Sequence, residues 1–141
     1  MKQSPIFSKT YDLVGWLIPL TVKFPRHQRF VMAGAVQREA LRFQELLIEA
    51  VHAAEPGERL ADADAELDKL RTHLRLCRDM LLITPGQYEH AARLLQEIGK
   101  LLGGWQKTLS VSRPSGRSTP EVGPGGSATA RGAGRRVEQQ S

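Results

Sequence analysis

Three arginines in one segment of the chain have the residue type and the spacing of a site that binds anions. Arg71, Arg75 and Arg78, the arginine stripe, are four and three positions apart, so on a helix they share one narrow face. A row of permanently charged, bidentate donors suits nucleic-acid phosphates or an acidic protein. Asp64 and Asp68 lie one turn earlier on the same face, and pairing with these carboxylates is the structural alternative. The residues alone leave both interpretations open.

A second group of cations lies in the segment KFPRHQRF. This basic joint consists of Lys23, Arg26, His27 and Arg29. Phosphate binding near a helix N-terminus is physically sensible there. A solvated loop is the alternative explanation for the same charges.

Residues for catalysis or metal binding are not grouped in a recognisable way. The histidines at positions 27, 52, 73 and 90 fit no metal-ligand spacing. His73 and Cys77 are i and i+4 but lack a third ligand. No glycine-rich phosphate loop follows a strand, and no nucleophile has an activating local context. The sequence therefore predicts a protein that is not an enzyme and has no metal or cofactor.

The arginine stripe falls within a segment, residues 60–105, that reads as two long amphipathic helices. Apolar or small residues recur three and four positions apart at Leu60, Ala63, Leu67, Leu70, Leu74, Cys77 and Leu81, and again at Tyr88, Ala91, Leu95, Ile98, Leu102 and Trp105. Between the two runs, Thr84, Pro85 and Gln87 have the spacing of a capping box with proline at the first helical position. We expect an antiparallel helical hairpin.

Two further helices are predicted before this hairpin. The first covers about residues 5–23, with one apolar stripe and further leucines beside it. The stripe consists of Phe7, Tyr11, Val14 and Ile18, and the residues beside it are Leu13, Leu17 and Leu20. Pro19 predicts a kink or an early stop in it. Phe24-Pro25 separates it from a second helix at about residues 25–54.

The second helix has apolar residues on more than one face. One seam consists of Val36, Ala40, Phe43, Leu47, Ala50 and Ala54, while Leu41, Ile48 and Val51 lie off it. Two apolar faces in so small a chain are explained either by contact with a second copy or by deep burial of this helix. The pattern does not decide between these explanations.

Composition separates a folded domain from a tail. Residues 111–141 are rich in Gly, Pro and Arg and nearly devoid of large apolar residues, so we expect them to be disordered and residues 1–110 to form the bundle. The five arginines and two glutamates of the tail account for +3 of the formal net charge of +5. Composition therefore does not describe a uniformly basic nucleic-acid-binding domain. Any electrostatic attraction of a partner must come from local clusters of charge.

The chain also carries little sign of a membrane or secretory role. Its longest apolar run, residues 13–22, is interrupted by Pro19 and Thr21 and is too short for a bilayer span. The N-terminus lacks the pattern of a secretory signal. The single cysteine, Cys77, is expected to be a buried residue in a reducing compartment. We therefore predict a cytoplasmic protein with no membrane partner.

Four short motifs together carry a family resemblance. They are KFPR at 23–26, LRxxLR at 70–75, TPxQ at 84–87 and IGKLLGGW at 98–105. In this order, over roughly residues 10–108, they resemble the accessory variability determinant (Avd) proteins of diversity-generating retroelements. The chain is also similar to four-helix-bundle proteins encoded in intervening sequences of 23S ribosomal RNA genes.

The resemblance implies an all-α, up-down antiparallel four-helix bundle that assembles into a barrel-shaped homopentamer. It also implies a basic surface that contacts the reverse transcriptase and nucleic acid during mutagenic copying of template RNA into cDNA and retrohoming. Arg71 and Arg75 match the LRxxLR cations, and Arg26 matches the basic residue after the helix-two proline. With the resemblance, oligomerisation through Leu41, Ile48 and Val51 is favoured over simple burial, and partner contact by the arginine stripe over internal pairing. The alternative is an intervening-sequence type of structural or interaction protein without a reverse-transcriptase partner.

Overall fold

Four helices follow one another in the part of the chain that the computed structural model describes, residues 4–112. Their bounds are Pro5–Val22 for α1, Gly34–His52 for α2, Gly57–Asp79 for α3 and Pro85–Ser112 for α4. A short α-helical turn, Arg26–Gln28, and a π-helix, Arg29–Ala33, lead directly into α2. Between residues 4 and 112 no strand occurs, so the predicted all-α, four-helix class is confirmed. The predicted disordered tail lies outside the described residues.

Contacts between the helices define an antiparallel bundle. Phe7 packs edge-on against Trp105, with ring centroids 6.0 Å apart, while Trp16 packs against His90 at 4.7 Å. Residues later in α1 thus contact residues earlier in α4, so the two helices are antiparallel. The same inverse relation holds for the contacting pairs Glu39–His73, Glu49–Arg59, Arg71–Leu95 and Leu60–Gln106. The connection between α1 and α2 and the turn between α3 and α4 therefore lie at the same end of the bundle.

The seams of the α3–α4 hairpin are buried largely as their spacing predicts. The buried positions are Leu60, Ala63, Leu67, Leu70, Leu74 and Cys77 on α3 and Ala91, Leu95, Ile98 and Leu102 on α4. Burial of each large apolar side chain stabilises the fold by about 1.5–3 kcal/mol. Among the described helices, none has the combination of length and apolar character needed to cross a membrane.

Helix α1 buries Leu13 and Leu17, which lie beside the predicted stripe, more fully than the stripe itself. The inward positions are Ile6, Thr10, Leu13, Leu17 and Thr21, whereas Tyr11 is exposed. Because Thr10 and Thr21 are polar, a hydropathy pattern does not identify this seam as buried. The Thr21 hydroxyl donates to the Ile18 carbonyl oxygen at 2.9 Å and accepts from Gln37 Nε2 at 2.8 Å, which compensates its burial. The helix continues through Pro19 to Val22, so an early stop does not occur.

The capping box at the start of α4 is confirmed. The Thr84 backbone N–H donates to Gln87 Oε1 at 2.9 Å, and the Gln87 backbone N–H donates to Thr84 Oγ1 at 3.0 Å. These reciprocal bonds satisfy two donors at the helix start and fix where α4 begins.

Helix α3 ends before the last position of its predicted seam. Leu81 has a φ of 63° and is 89% exposed, so its assignment to the seam is wrong. The Leu82 N–H donates to the Cys77 carbonyl at 2.9 Å, and the Leu81 N–H donates to that of Arg78 at 3.0 Å. This is a Schellman ending with leucine at the left-handed position where glycine is usual. No glycine marks the site in the sequence, so the apolar spacing continues past the true end of the helix.

Leu81→Gly is expected to raise the free energy of unfolding by about 1 kcal/mol, because it removes a Cβ from a left-handed position. Urea unfolding followed by circular dichroism measures the change. Leu81→Ala is the matched control, since it shortens the side chain but keeps the Cβ. Equal free energies of unfolding for the two variants would show that the left-handed backbone at Leu81 does not destabilise the fold.

Candidate nucleic-acid interface

Arg71, the first cation of the arginine stripe, reaches from α3 across to α4. Its Nη1 lies 3.1 Å from Asp68 Oδ1, and its Nη2 donates to the Leu95 carbonyl oxygen at 3.5 Å. The pairing with Asp68 that was the structural alternative is therefore present. Both side chains are substantially exposed, and a surface ion pair of this kind contributes little to stability. Arg71 is thus positioned by its neighbours while its charge remains at the surface.

Gly99 supplies the space that Arg71 occupies on α4. A Cβ built at Gly99 would overlap Nη2 of Arg71 and would contact the Leu67 side chain at 3.7 Å. The glycine in the IGKLLGGW motif therefore has a packing role, since it lets the guanidinium approach the α4 backbone.

The other two arginines of the stripe differ in how far they are engaged. The Arg78 guanidinium lies 4.5 Å from the Tyr88 ring centroid, and its Nε and Nη2 donate to Asp79 Oδ1 at 3.1 and 3.0 Å. Arg75 is exposed and forms no ion pair or side-chain hydrogen bond with any described residue. Arg75 is therefore the most available cation of the three.

A shallow groove of about 200 Å³ lies between α3 and α4 beside the arginine stripe. Arg71, Tyr88 and Gln96 provide its polar groups, and Leu74 and Leu95 are among its apolar lining residues. The groove offers a guanidinium, a phenol and an amide to a partner.

The basic joint lies at the connection between α1 and α2. Lys23, Arg26 and His27 are exposed, and none of them has an ion-pair partner among residues 4–112. Arg29 is also without an ion pair there, but its Nε donates to the Phe24 carbonyl oxygen at 3.1 Å. That bond orients the Arg29 guanidinium and leaves its other donors free.

Bundle topology brings the two basic groups to the same end of the molecule. Arg75 and Arg78 belong to the last turns of α3, and the basic joint follows α1. No carboxylate occurs from residue 13 to residue 38, whereas the opposite end carries the connection between α2 and α3 with Glu49, Glu55, Glu58 and Asp62. The bundle is therefore electrically polarised along its length, although the charge of the folded part is small.

A polar contact between α2 and α3 joins the buried Glu39 to the partly exposed His73. His73 Nδ1 lies 2.6 Å from Glu39 Oε2, but the contact lacks the geometry of a hydrogen bond. Burial raises the pKa of the Cys77 thiol to about 11, and the charge of Glu39 adds to this effect. Within residues 4–112, no group of three His, Cys, Asp or Glu side chains is arranged to hold a metal ion.

The off-seam face of α2 is open in the single chain. Leu41, Ile48 and Val51 are 41%, 48% and 55% exposed, while the opposite face of the same helix is buried through Val36, Phe43 and Leu47. Single exposed apolar residues are common, but three along one helix face form a surface suited to a partner. Their role in an oligomer stays a prediction.

Phe30 is a prominent surface residue that the sequence pattern did not single out. Its ring is 90% exposed and lies on the π-helix next to Arg29. The only sequence signal is an aromatic residue directly beside one cation, Arg29, in QRFV. Periodicity alone does not tell whether such a ring points inward or outward.

Comparisons with known proteins agree with this architecture. A family model described as bAvd-like matches residues 5–109. The fold is similar to that of a protein of unknown function from the S23 ribosomal protein family of Bacteroides thetaiotaomicron, with a TM-score of 0.65 and 23% identity over 72% of this chain and 98% of that chain. At this identity the likeness establishes the fold alone. No curated protein matches the chain.

Proposed function

The chain belongs to the bAvd-like family, and we therefore propose that it is a non-catalytic accessory protein of a diversity-generating retroelement. In this role it binds the reverse transcriptase, the template RNA and the cDNA, and it supports mutagenic reverse transcription and retrohoming. We place this activity in the cytoplasm.

The unpaired cations of the basic joint are the observation that carries the nucleic-acid part of the proposal. Lys23, Arg26 and Arg29 are exposed within a stretch that lacks carboxylates from residue 13 to residue 38. Cations without a local acidic partner can bind the phosphates of a nucleic acid, and binding is favoured because the counterions condensed on the nucleic acid are released. The polarised bundle thus presents one end to a polyanion and turns its acidic end away.

The arginine stripe supports a second contact at the same end of the bundle. Arg75 is free of ion pairs among the described residues, and Arg71 and Arg78 are held at the surface by Asp68 and Asp79. An approaching phosphate or carboxylate can replace these weak surface pairs at little cost. We assign the stripe to the reverse transcriptase or to the nucleic acid that it carries.

Oligomerisation is the third part of the proposal. The exposed apolar face of α2, formed by Leu41, Ile48 and Val51, would be covered by another copy of the chain. Family membership favours a homopentamer. A ring of protomers repeats each basic end, so several weak phosphate contacts act together on one strand.

Measuring RNA binding by the full chain as a function of salt tests the nucleic-acid part. We expect binding that weakens steeply with salt, with a slope of log K against log[salt] of about −0.7 for each phosphate contacted on single-stranded RNA. Binding that is absent at low salt would contradict the proposal. A slope near zero would also contradict it, because counterion release would then not drive association.

An alternative is a structural or interaction protein of the 23S intervening-sequence type, without a reverse-transcriptase partner. The similar fold of a protein from the S23 ribosomal protein family favours keeping this alternative. The neighbouring genes discriminate between the two. A reverse transcriptase gene with paired template and variable repeats supports the retroelement role, and a location within a ribosomal RNA operon supports the alternative.

A further inference from the structure

The π-helix that precedes α2 presents an aromatic ring to solvent. Phe30 is 90% exposed, whereas Met32 and Ala33 on the same π-helix are buried. Val22, at the end of α1, and Val31 are also largely exposed. The exposed ring contributes little to the core, and its buried neighbours hold it in a fixed place where a partner can reach it.

A depression of about 390 Å³ lies beside the Phe30 ring. Val22 and Ala33 provide apolar walls, and Arg26, Arg29 and Gln37 provide polar groups. The Gln37 amide is oriented because its Nε2 donates to Thr21 Oγ1 at 2.8 Å.

The charges around this depression are all of one sign. Arg26 and Arg29 border it, Lys23 is close by in the chain, and no carboxylate occurs from residue 13 to residue 38. A purely apolar peptide would leave these cations without partners, and a purely acidic peptide would make no contact with the exposed ring. A ligand with a flat apolar face and flanking negative charges satisfies both.

We propose that the depression is a subsite for one base of a single-stranded nucleic acid, which stacks on Phe30 while the flanking phosphates contact Arg26 and Arg29. Aromatic side chains bordered by cations bind single strands in this way, without strong sequence preference. A base paired within a duplex has no free face for the ring, so the subsite selects single strands. This inference rests on the proposed function and specifies the form of nucleic acid that the basic joint binds.

Phe30→Ala in the full chain tests the subsite. We expect its affinity for a single-stranded oligonucleotide, measured by fluorescence anisotropy, to fall about 5- to 150-fold, the range for loss of one stacked base. Affinity for a duplex of the same length should change less than about twofold. Phe30→Tyr, which keeps the ring, should retain binding, and both variants should fold normally because the ring is exposed.

The outcomes separate the subsite from the proposed function. If the wild-type chain binds no nucleic acid, the proposed function fails. If the wild type binds in a salt-dependent way but Phe30→Ala is unchanged, or loses single-strand and duplex binding equally, only the subsite is overturned. A change in oligomer mass with Phe30→Ala would also overturn it, because the ring would then belong to an interface between copies.

Discussion

Replacing Arg26 and Arg29 together by glutamate is expected to lower the affinity of the full chain for single-stranded RNA on the order of 100-fold at low salt. The variant loses two cations from the basic joint and introduces two anions, so phosphates are repelled where they were attracted. The slope of log K against log[salt] should become shallower by about 1.4, since each phosphate contact on a single strand contributes about 0.7. Fluorescence anisotropy at several salt concentrations gives both quantities.

A matched control separates the basic joint from net charge. Lys100 and Lys107 are exposed on α4, toward the opposite end of the bundle, and their replacement by glutamate changes the net charge by the same amount. We expect this control to lose much less affinity than the Arg26 and Arg29 variant. Equal losses in the two variants would mean that overall charge, and not the basic joint, governs binding.

Replacing Leu41 and Ile48 by glutamate is expected to reduce the assembly to single chains. Both side chains are exposed on α2 in the protomer, so the variant should fold, but two charges would be buried without partners if copies met at this face. Light scattering at micromolar concentration should give about five times the 15.6 kDa chain mass for the wild type and one chain mass for the variant. Circular dichroism should show unchanged helix content.

A control on other exposed apolar residues shows whether this face is specific. Tyr11 on α1 and Leu81 after the end of α3 are strongly exposed, and their replacement by glutamate should leave the oligomer mass unchanged. A wild-type chain that is monomeric at this concentration would contradict the proposed oligomer. If the double variant at Leu41 and Ile48 keeps the oligomer mass of the wild type, the interface between copies lies elsewhere.

The α3–α4 hairpin was predictable because its signals are local. The heptad-like spacing from Leu60 to Cys77 needs only a seam that faces another helix. The Thr84–Gln87 box needs only residues within one turn. The stripe formed by Arg71, Arg75 and Arg78 follows from the same helical period.

Other features depend on tertiary contacts that a sequence pattern does not carry. The buried seam of α1 includes Thr10 and Thr21, whose polarity conceals it from a hydropathy analysis. The reach of Arg71 to the Leu95 carbonyl requires Gly99 on a different helix. The left-handed ending at Leu81 lacks the glycine that usually announces it. The residue types around Phe30 likewise do not indicate a π-helix that leaves its ring exposed.

Reverse transcription in a reconstituted system shows whether the chain acts as a retroelement accessory protein. With the neighbouring retroelement reverse transcriptase and its template RNA, the wild-type chain should stimulate cDNA synthesis, while the Arg26 and Arg29 glutamate variant should not. The Lys100 and Lys107 control should stimulate synthesis like the wild type. Equal cDNA yields with the wild-type chain and with no added chain would contradict the account.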